Sequence, residues 1–186
     1  MSIKTNSWEW FLLWQSNIDS QLCIYVIKPS MKKILPVILL IVIWPFAAHA
    51  WMAKVVSVTD GDTIKVYTVD QGQVKIRLYG IDTPEKGQPY GKAAGKYLAS
   101  LIAGAIVEVE TVTTDRYGRT VGIVWDDDTN INQQMVQAGY AWVYRKYCDR
   151  PFCSEWLELE GKARSSRIGL WKESNPVPPW EWRRKK

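Results

Sequence analysis

The chain predicts an α+β fold dominated by β-structure: a five-stranded Greek-key barrel with three helices. Three observations predict it. Five short β-rich segments lie between turn residues, one helical period interrupts them after the third, and two more helical periods follow the fifth.

Taken in order, Val55–Val58 and Ile64–Tyr67 flank the turn Asp60-Gly61, and Val74–Leu78 follows the turn-like Asp70-Gln71-Gly72, which predicts three antiparallel strands. In the third strand Val74, Ile76 and Leu78 share one face, so Arg77 points away from that apolar row. Gly91–Ala103 places Ala94, Tyr97, Leu98, Leu101 and Ile102 at helical spacing and stops at Gly104. Val107–Val112 and Thr120–Trp125 are strand-like, with Asp115–Arg119 as the hairpin connection and Asp126-Asp127-Asp128 as a solvated turn after them. Ile131–Ala138 predicts a short helix stopped by Gly139, and Ser154–Ile168 a longer one stopped by Gly169, with Trp156, Leu159 and Ala163 on one face. Trp125, Trp142, Trp156 and Trp171 are expected in the core or between helices. From Asn175 onward, Pro176, Pro178 and Pro179 are expected to prevent regular structure. Strands and helices in this order suit a small barrel of the oligonucleotide-binding (OB) type.

The 186 residues divide into four parts. Residues 31–50 run from Met31-Lys32-Lys33 through the apolar stretch Ile34–Ala47 to Ala48-His49-Ala50, the order of a secretory signal peptide cleaved after Ala50. The apolar run is shorter than the roughly 20 residues of a membrane span and contains Pro36 and Pro45, so no stable membrane association is expected after cleavage. Residues 1–30 form an extension without targeting logic of its own, and Met31 is the expected start. Residues 51–172 are the expected folded domain and 173–186 a Pro/Trp-rich basic tail, with Trp180 and Trp182 beside Arg183-Arg184-Lys185-Lys186, read as solvated. The expected location is secreted or periplasmic, as a monomer. Cys148 and Cys153 then form an even pair, spaced to close a small disulfide loop in an oxidising compartment, while Cys23 falls in the extension. A zinc site is poorly supported, because no second Cys or His pair accompanies them.

Residues 51–186 carry 20 Lys plus Arg and 17 Asp plus Glu, a net charge of 20 − 17 = +3. The one histidine is His49, inside the segment expected to be removed. Catalysis by imidazole and zinc sites with histidine ligands are thereby excluded, which leaves carboxylates and guanidinium groups. Five such groups stand in three motifs: Asp62 in Asp60-Gly61-Asp62-Thr63; Arg77, Asp82 and Glu85 in Arg77-Leu78-Tyr79-Gly80-Ile81-Asp82-Thr83-Pro84-Glu85; and Arg119 in Asp115-Arg116-Tyr117-Gly118-Arg119. Acids of this kind can hold a hard divalent cation, and arginines can clamp a phosphate with paired hydrogen bonds. Each motif alone reads as an ordinary turn, a solvated strand face or a helix start; their order and spacing point to a phosphodiesterase site.

The three motifs together resemble the thermonuclease, or staphylococcal nuclease-like, family, over about Val55 to Trp171. The resemblance implies a five-stranded barrel with three helices, calcium dependence, and endonucleolytic hydrolysis of DNA and RNA to 3′-phosphate ends with little sequence preference. By the same resemblance Asp62, Asp82 and the Thr83 main-chain carbonyl hold Ca²⁺, Glu85 is the general base, Arg77 and Arg119 bind phosphate, and Tyr117 lies beside the bound nucleotide. Asp60 is read as orienting the metal site without touching the ion. The donor types themselves suit Mg²⁺ and Mn²⁺ as well. The chain departs from the family's best-known members in a shorter connection between Glu85 and Tyr90-Gly91. Tyr144 and Tyr147 both stand near the place of a second substrate-packing tyrosine, and the Cys148–Cys153 loop is an addition expected to brace the edge of the groove. The alternative reading is a non-catalytic barrel that binds nucleic acid or protein. A binder, however, has no use for clustered acids that repel phosphate.

Overall fold

The computed structural model describes residues 50–185. The extension and all of the expected signal segment but Ala50 lie outside the described residues. Strands β1 (Ala50–Val58), β2 (Thr63–Thr68) and β3 (Gly72–Leu78) form an antiparallel meander, followed by a two-residue strand β4 (Ile81–Asp82) and helix α1 (Gly91–Ile102). Strands β5 (Ile106–Thr114) and β6 (Thr120–Asp126) form a hairpin, and β7 (Thr129–Asn130) leads directly into α2 (Ile131–Gln137). A second two-residue strand, β8 (Trp142–Val143), precedes α3 (Cys153–Ser165).

The ladder runs β3-β2-β1-β5-β6, and a parallel pairing of β3 with β6 closes it into the expected five-stranded barrel. Closure requires the strands to bend, and register shifts at Val55/Ser57 and Thr111/Thr113 mark the bulges where β1 and β5 do so. Val55, Ile64, Val66, Ile76, Leu78, Val107, Val109 and Val124 fill the buried core. Helix α1 contributes Ala94, Leu98 and Ile102 to the same core. Asn132, wholly buried at the start of α2, donates to the carbonyls of Tyr79 and Gly122 and accepts from the Val124 N–H, tying the helix to the β3 and β6 ends. Trp156 and Trp171 are buried as expected, Trp142 likewise, and Trp125 is half-buried.

One expectation fails. The proline-rich end is irregular only over residues 175–178: Pro179–Trp182 forms a one-turn helix α4 and Arg183–Lys185 a 3-10 turn, with a further 3-10 turn, Gly169–Lys172, just before the stretch. Pro178 and Pro179 start α4 rather than prevent it, because proline's fixed φ suits a first helical turn.

Cys148 and Cys153 form the expected disulfide. Its Cys148 end lies against Gly80, where an added Cβ would meet Sγ at 2.8 Å. Asp149 within the loop accepts a hydrogen bond from the Tyr79 hydroxyl, and the Asp149 N–H donates back to that oxygen at 2.9 Å. The loop therefore pins Tyr79-Gly80, the two residues that join β3 to β4. Replacing both cysteines by serine is expected to lower unfolding stability by about 2 kcal/mol, the chain-entropy figure for so short a loop, read by urea denaturation. An unchanged midpoint would show that the loop is held by its hydrogen bonds alone.

Candidate active site

The β1–β2 turn brings Asp62 against Thr83, next to the β4 residue Asp82, because Gly61 permits it. A Cβ at Gly61 would stand 2.7 Å from both the Ala94 Cβ and the Thr83 Oγ1, so only glycine lets the turn pack this closely on α1 and Thr83. Asp62 is 6% exposed and heavily hydrogen-bonded. Its Oδ2 accepts from the Thr83 N–H at 2.8 Å and Oγ1 at 2.9 Å, and its Oδ1 from the Thr63 hydroxyl at 3.2 Å. Asp60 stands behind it, its Oδ1 accepting from the Asp62 N–H at 3.2 Å. Burial, and then the charge of Asp62, push the Asp60 carboxyl up to about 6.

Strict alternation along β3 sends Ile76 and Leu78 inward and leaves Arg77 on the other face, as the sequence predicts. From there its Nη1 reaches Asp62 Oδ2 at 3.1 Å and its Nη2 reaches Asp82 Oδ1 at 2.9 Å. One guanidinium thus bridges two carboxylates from different motifs. Asp82 is held in place by the β4–β8 ladder, where it pairs with Trp142, and is only 1% exposed. Burial raises its carboxyl above the ordinary value, opposed by hydrogen bonding to Arg183 and the charge of Arg77.

Glu85 stands at the rim, 40% of its side chain exposed. The short connection to α1 is a tight fold: the Gln88 N–H donates to the Glu85 carbonyl at 2.8 Å, and the Gln88 Oε1 accepts from the Glu85 N–H at 3.2 Å. Tyr90 takes a left-handed conformation at φ 65°, and any side chain at Gly91 would run into the Glu85 carbonyl. The brevity of this connection therefore rests on glycine at 91.

The third motif is a separate unit. Asp115 receives the Tyr117 N–H at 2.9 Å, the Arg119 N–H at 3.0 Å and the Arg119 Nε at 2.7 Å. Val121 pairs with Arg77 in the parallel closure, so alternation places Arg119, two residues earlier, on the Arg77 side of the sheet. Tyr117 is 68% exposed, with the Arg119 guanidinium 5.5 Å from its ring centre. No ion pair or hydrogen bond joins Arg119 to Asp62, Asp82 or Glu85 among the described residues.

Two participants escape the sequence reading. Asp115 is visible in its motif, but its role in aiming Arg119 needs the hairpin geometry. Arg183, assigned to a solvated tail, instead donates Nη2 to Asp82 Oδ2 at 2.8 Å and Nη1 to Asp82 Oδ1 at 3.2 Å and to Glu85 Oε1 at 2.8 Å. Of the two tyrosines left open, Tyr144 has its ring stacked by Trp180, with centroids 5.1 Å apart, and Tyr147 is exposed.

The Asp115 contacts carry a pH signature. Desolvation opposes its charge, but hydrogen bonds from the Arg119 backbone and side chain and the Tyr117 N–H outweigh it and lower its carboxyl below the ordinary 3.8. The ionised form is thus favoured in the folded turn, so its contribution is present above 3.8 and lost as pH falls through the depressed folded value. Protection of the Tyr117 and Arg119 amides, taken relative to the intrinsic exchange rate at each pH, is expected to hold at pH 5 and to fall below 3.8, and in Asp115→Asn to lose that change. Identical profiles for the two proteins would contradict the assignment.

Comparison with known proteins gives the family. The family described as staphylococcal nuclease homologue matches residues 75–173, a stretch that takes in Arg77, Asp82, Glu85 and Arg119. A protein of Escherichia coli O157:H7 named an uncharacterized endonuclease is 44% identical over 157 residues, which cover 84% of this chain and 100% of that protein. A micrococcal nuclease of Shigella flexneri is 40% identical over 164 residues, 83% of this chain and 92% of its own length. An uncharacterized endonuclease of Haemophilus influenzae is 38% identical over 131 residues, 70% and 72% of the two chains. With its closed barrel and the bridged acids of its first two motifs, the chain belongs to the staphylococcal nuclease family.

Proposed function

We propose that this endonuclease of the staphylococcal nuclease family is exported and calcium-dependent, and that it cuts DNA and RNA with little sequence preference, leaving 3′-phosphate ends. The observation that carries the reading is the meeting of Asp62 and Asp82 on one guanidinium, with Glu85 at the open rim. The family and the relatives named endonuclease weigh against the binding-only alternative.

The donor set fits a hard divalent cation. Burial disfavours the charged form of Asp82 and the neighbouring Asp62 charge adds to that, so positive charge beside the two acids is favoured. The candidate donors are all oxygen: Asp62, Asp82 and the Thr83 carbonyl, with no histidine or free thiol beside them among the described residues. Among the described residues no group of three or more His, Cys, Asp or Glu side chains forms a metal cluster, so protein carboxylates would supply a minority of calcium's six to eight ligands. Asp60 would orient Asp62 through the hydrogen bond it already makes. When bound, the cation supplies positive charge beside the scissile phosphate.

The chain's own residues supply the rest. Arg77 and Arg119 would each present a planar fork to the phosphate oxygens, where negative charge grows during in-line attack, and so favour the transition state over the ground state. Tyr117, exposed beside Arg119, offers an aromatic face to the nucleotide. Glu85 would accept the proton of the attacking water at the solvent-open side. Export is supported by the basic, apolar, small-residue order of Met31–Ala50 and by the Cys148–Cys153 disulfide.

Purified protein is expected to degrade plasmid with added calcium and to stop with chelator. Arg77→Ala and Arg119→Ala should each lose about 10³- to 10⁵-fold in rate; Arg119→Ala should stay folded by circular dichroism, whereas Arg77→Ala leaves Asp62 and Asp82 uncompensated and should also lower the urea midpoint. Activity within about tenfold of wild type would contradict the clamp. Exported protein should begin at Trp51 by N-terminal sequencing; any peptide from residues 1–30 in that material would overturn the assigned start.

A further inference from the structure

The basic end of the chain folds back onto the site. Arg183 engages both oxygens of Asp82 and one of Glu85. A solvated tail would leave its charges in water, but here the partner carboxylate is 1% exposed. The segment that delivers Arg183 is anchored by packing as well as charge. Pro179 is buried, Trp180 lies flat on Tyr144 with planes 8° apart and meets Trp142 edge-on at 5.7 Å, and the Gln88 Nε2 donates to the Val177 carbonyl. Gln88 also holds the Glu85 N–H, so one side chain links this segment to the loop carrying the rim acid.

We propose that residues 177–185 form a strap over the active site, in which Arg183 holds the same carboxylate oxygens a divalent cation would take, so that strap and cation bind in competition. The proposal rests on the reading of Asp82 as a cation ligand. Asp82 Oδ1 already accepts from both Arg77 and Arg183 and Oδ2 accepts from Arg183, so the strap takes most of the acceptor capacity an ion would need at about 2.3–2.6 Å, and its positive charge would repel the ion. Exchange is feasible because the Arg183 side chain is 42% exposed and water can take over its hydrogen bonds. Trp180 covers the Tyr144 face at the same time, so the strap withholds an aromatic surface along with the acids. Cation binding and strap release are then linked: strap closure weakens cation binding by the same factor by which a bound cation weakens strap closure.

Calorimetric titration of calcium chloride into the full chain tests this with four proteins: wild type, Arg183→Ala, Trp180→Ala and Asp82→Asn. Arg183→Ala is expected to bind calcium about fivefold to 100-fold more tightly than wild type. Trp180→Ala alters no charge and should also bind more tightly, by a smaller factor, because it removes the anchor. Asp82→Asn should lose the site. Equal or weaker binding by Arg183→Ala, with Asp82→Asn still abolishing it, would overturn the strap and leave the cation site standing. Tighter binding by Arg183→Ala with no change in Trp180→Ala would reduce the effect to local charge and likewise overturn the strap. Absence of calcium binding in all four proteins would overturn the cation site and the strap together.

Discussion

The structure depends on one electrostatic constraint: two carboxylates, Asp62 and Asp82, are held together in a place nearly closed to water, and positive charge must reach them. Burying like charges side by side is unfavourable unless they are neutralised and hydrogen-bonded. Arg77 meets that need by bridging them, and the Thr83 N–H and hydroxyl saturate Asp62 from the other side. Arg183 completes the neutralisation of Asp82 from the far end of the chain. The same unfavourable pairing that demands a guanidinium here is what would give a divalent cation its affinity.

The barrel supplies the geometry for that constraint. Its β1–β2 turn delivers Asp62, β3 delivers Arg77, the β4–β8 ladder fixes Asp82, and the parallel closure of β3 on β6 sets the Arg119 hairpin beside them. Two glycines at close approaches, Gly61 and Gly91, and the disulfide loop pinned to Tyr79 hold the connections short. Hydrogen bonds at Asp115 aim Arg119 separately from the acid pair. The site is thus two pre-shaped parts, an acid pair with Arg77 and a hairpin with Arg119, and a phosphate lying between them would join both.

Much of this was legible in the residues. Alternation at Ile76-Arg77-Leu78 showed which way the arginine points, glycines marked the helix ends within a few residues, and the motif spacing pointed to the acids and arginines as one set. The unread parts share a physical reason. Strands β4 and β8 have two residues each, too few to show a period, and the β3–β6 closure depends on global topology rather than any local pattern. The order of the tail has no local signal, because proline and tryptophan carry no periodicity. Its order comes from the Trp180–Tyr144 stack and from an ion pair between residues 101 positions apart. Asp115 stood in plain view, yet only the folded hairpin shows that it serves Arg119.

In the proposed reaction the bridged acids hold an ion while the two arginines grip one phosphate, with no imidazole taking part. The most direct measurement is a crystal structure with calcium and a short DNA oligonucleotide bound. The account predicts Asp62 and Asp82 oxygens at about 2.3–2.6 Å from a single ion, with Arg77 and Arg119 both donating to the same phosphate group. A bound oligonucleotide with Arg77 still bridging the two acids and Arg119 still on Asp115 alone would contradict it.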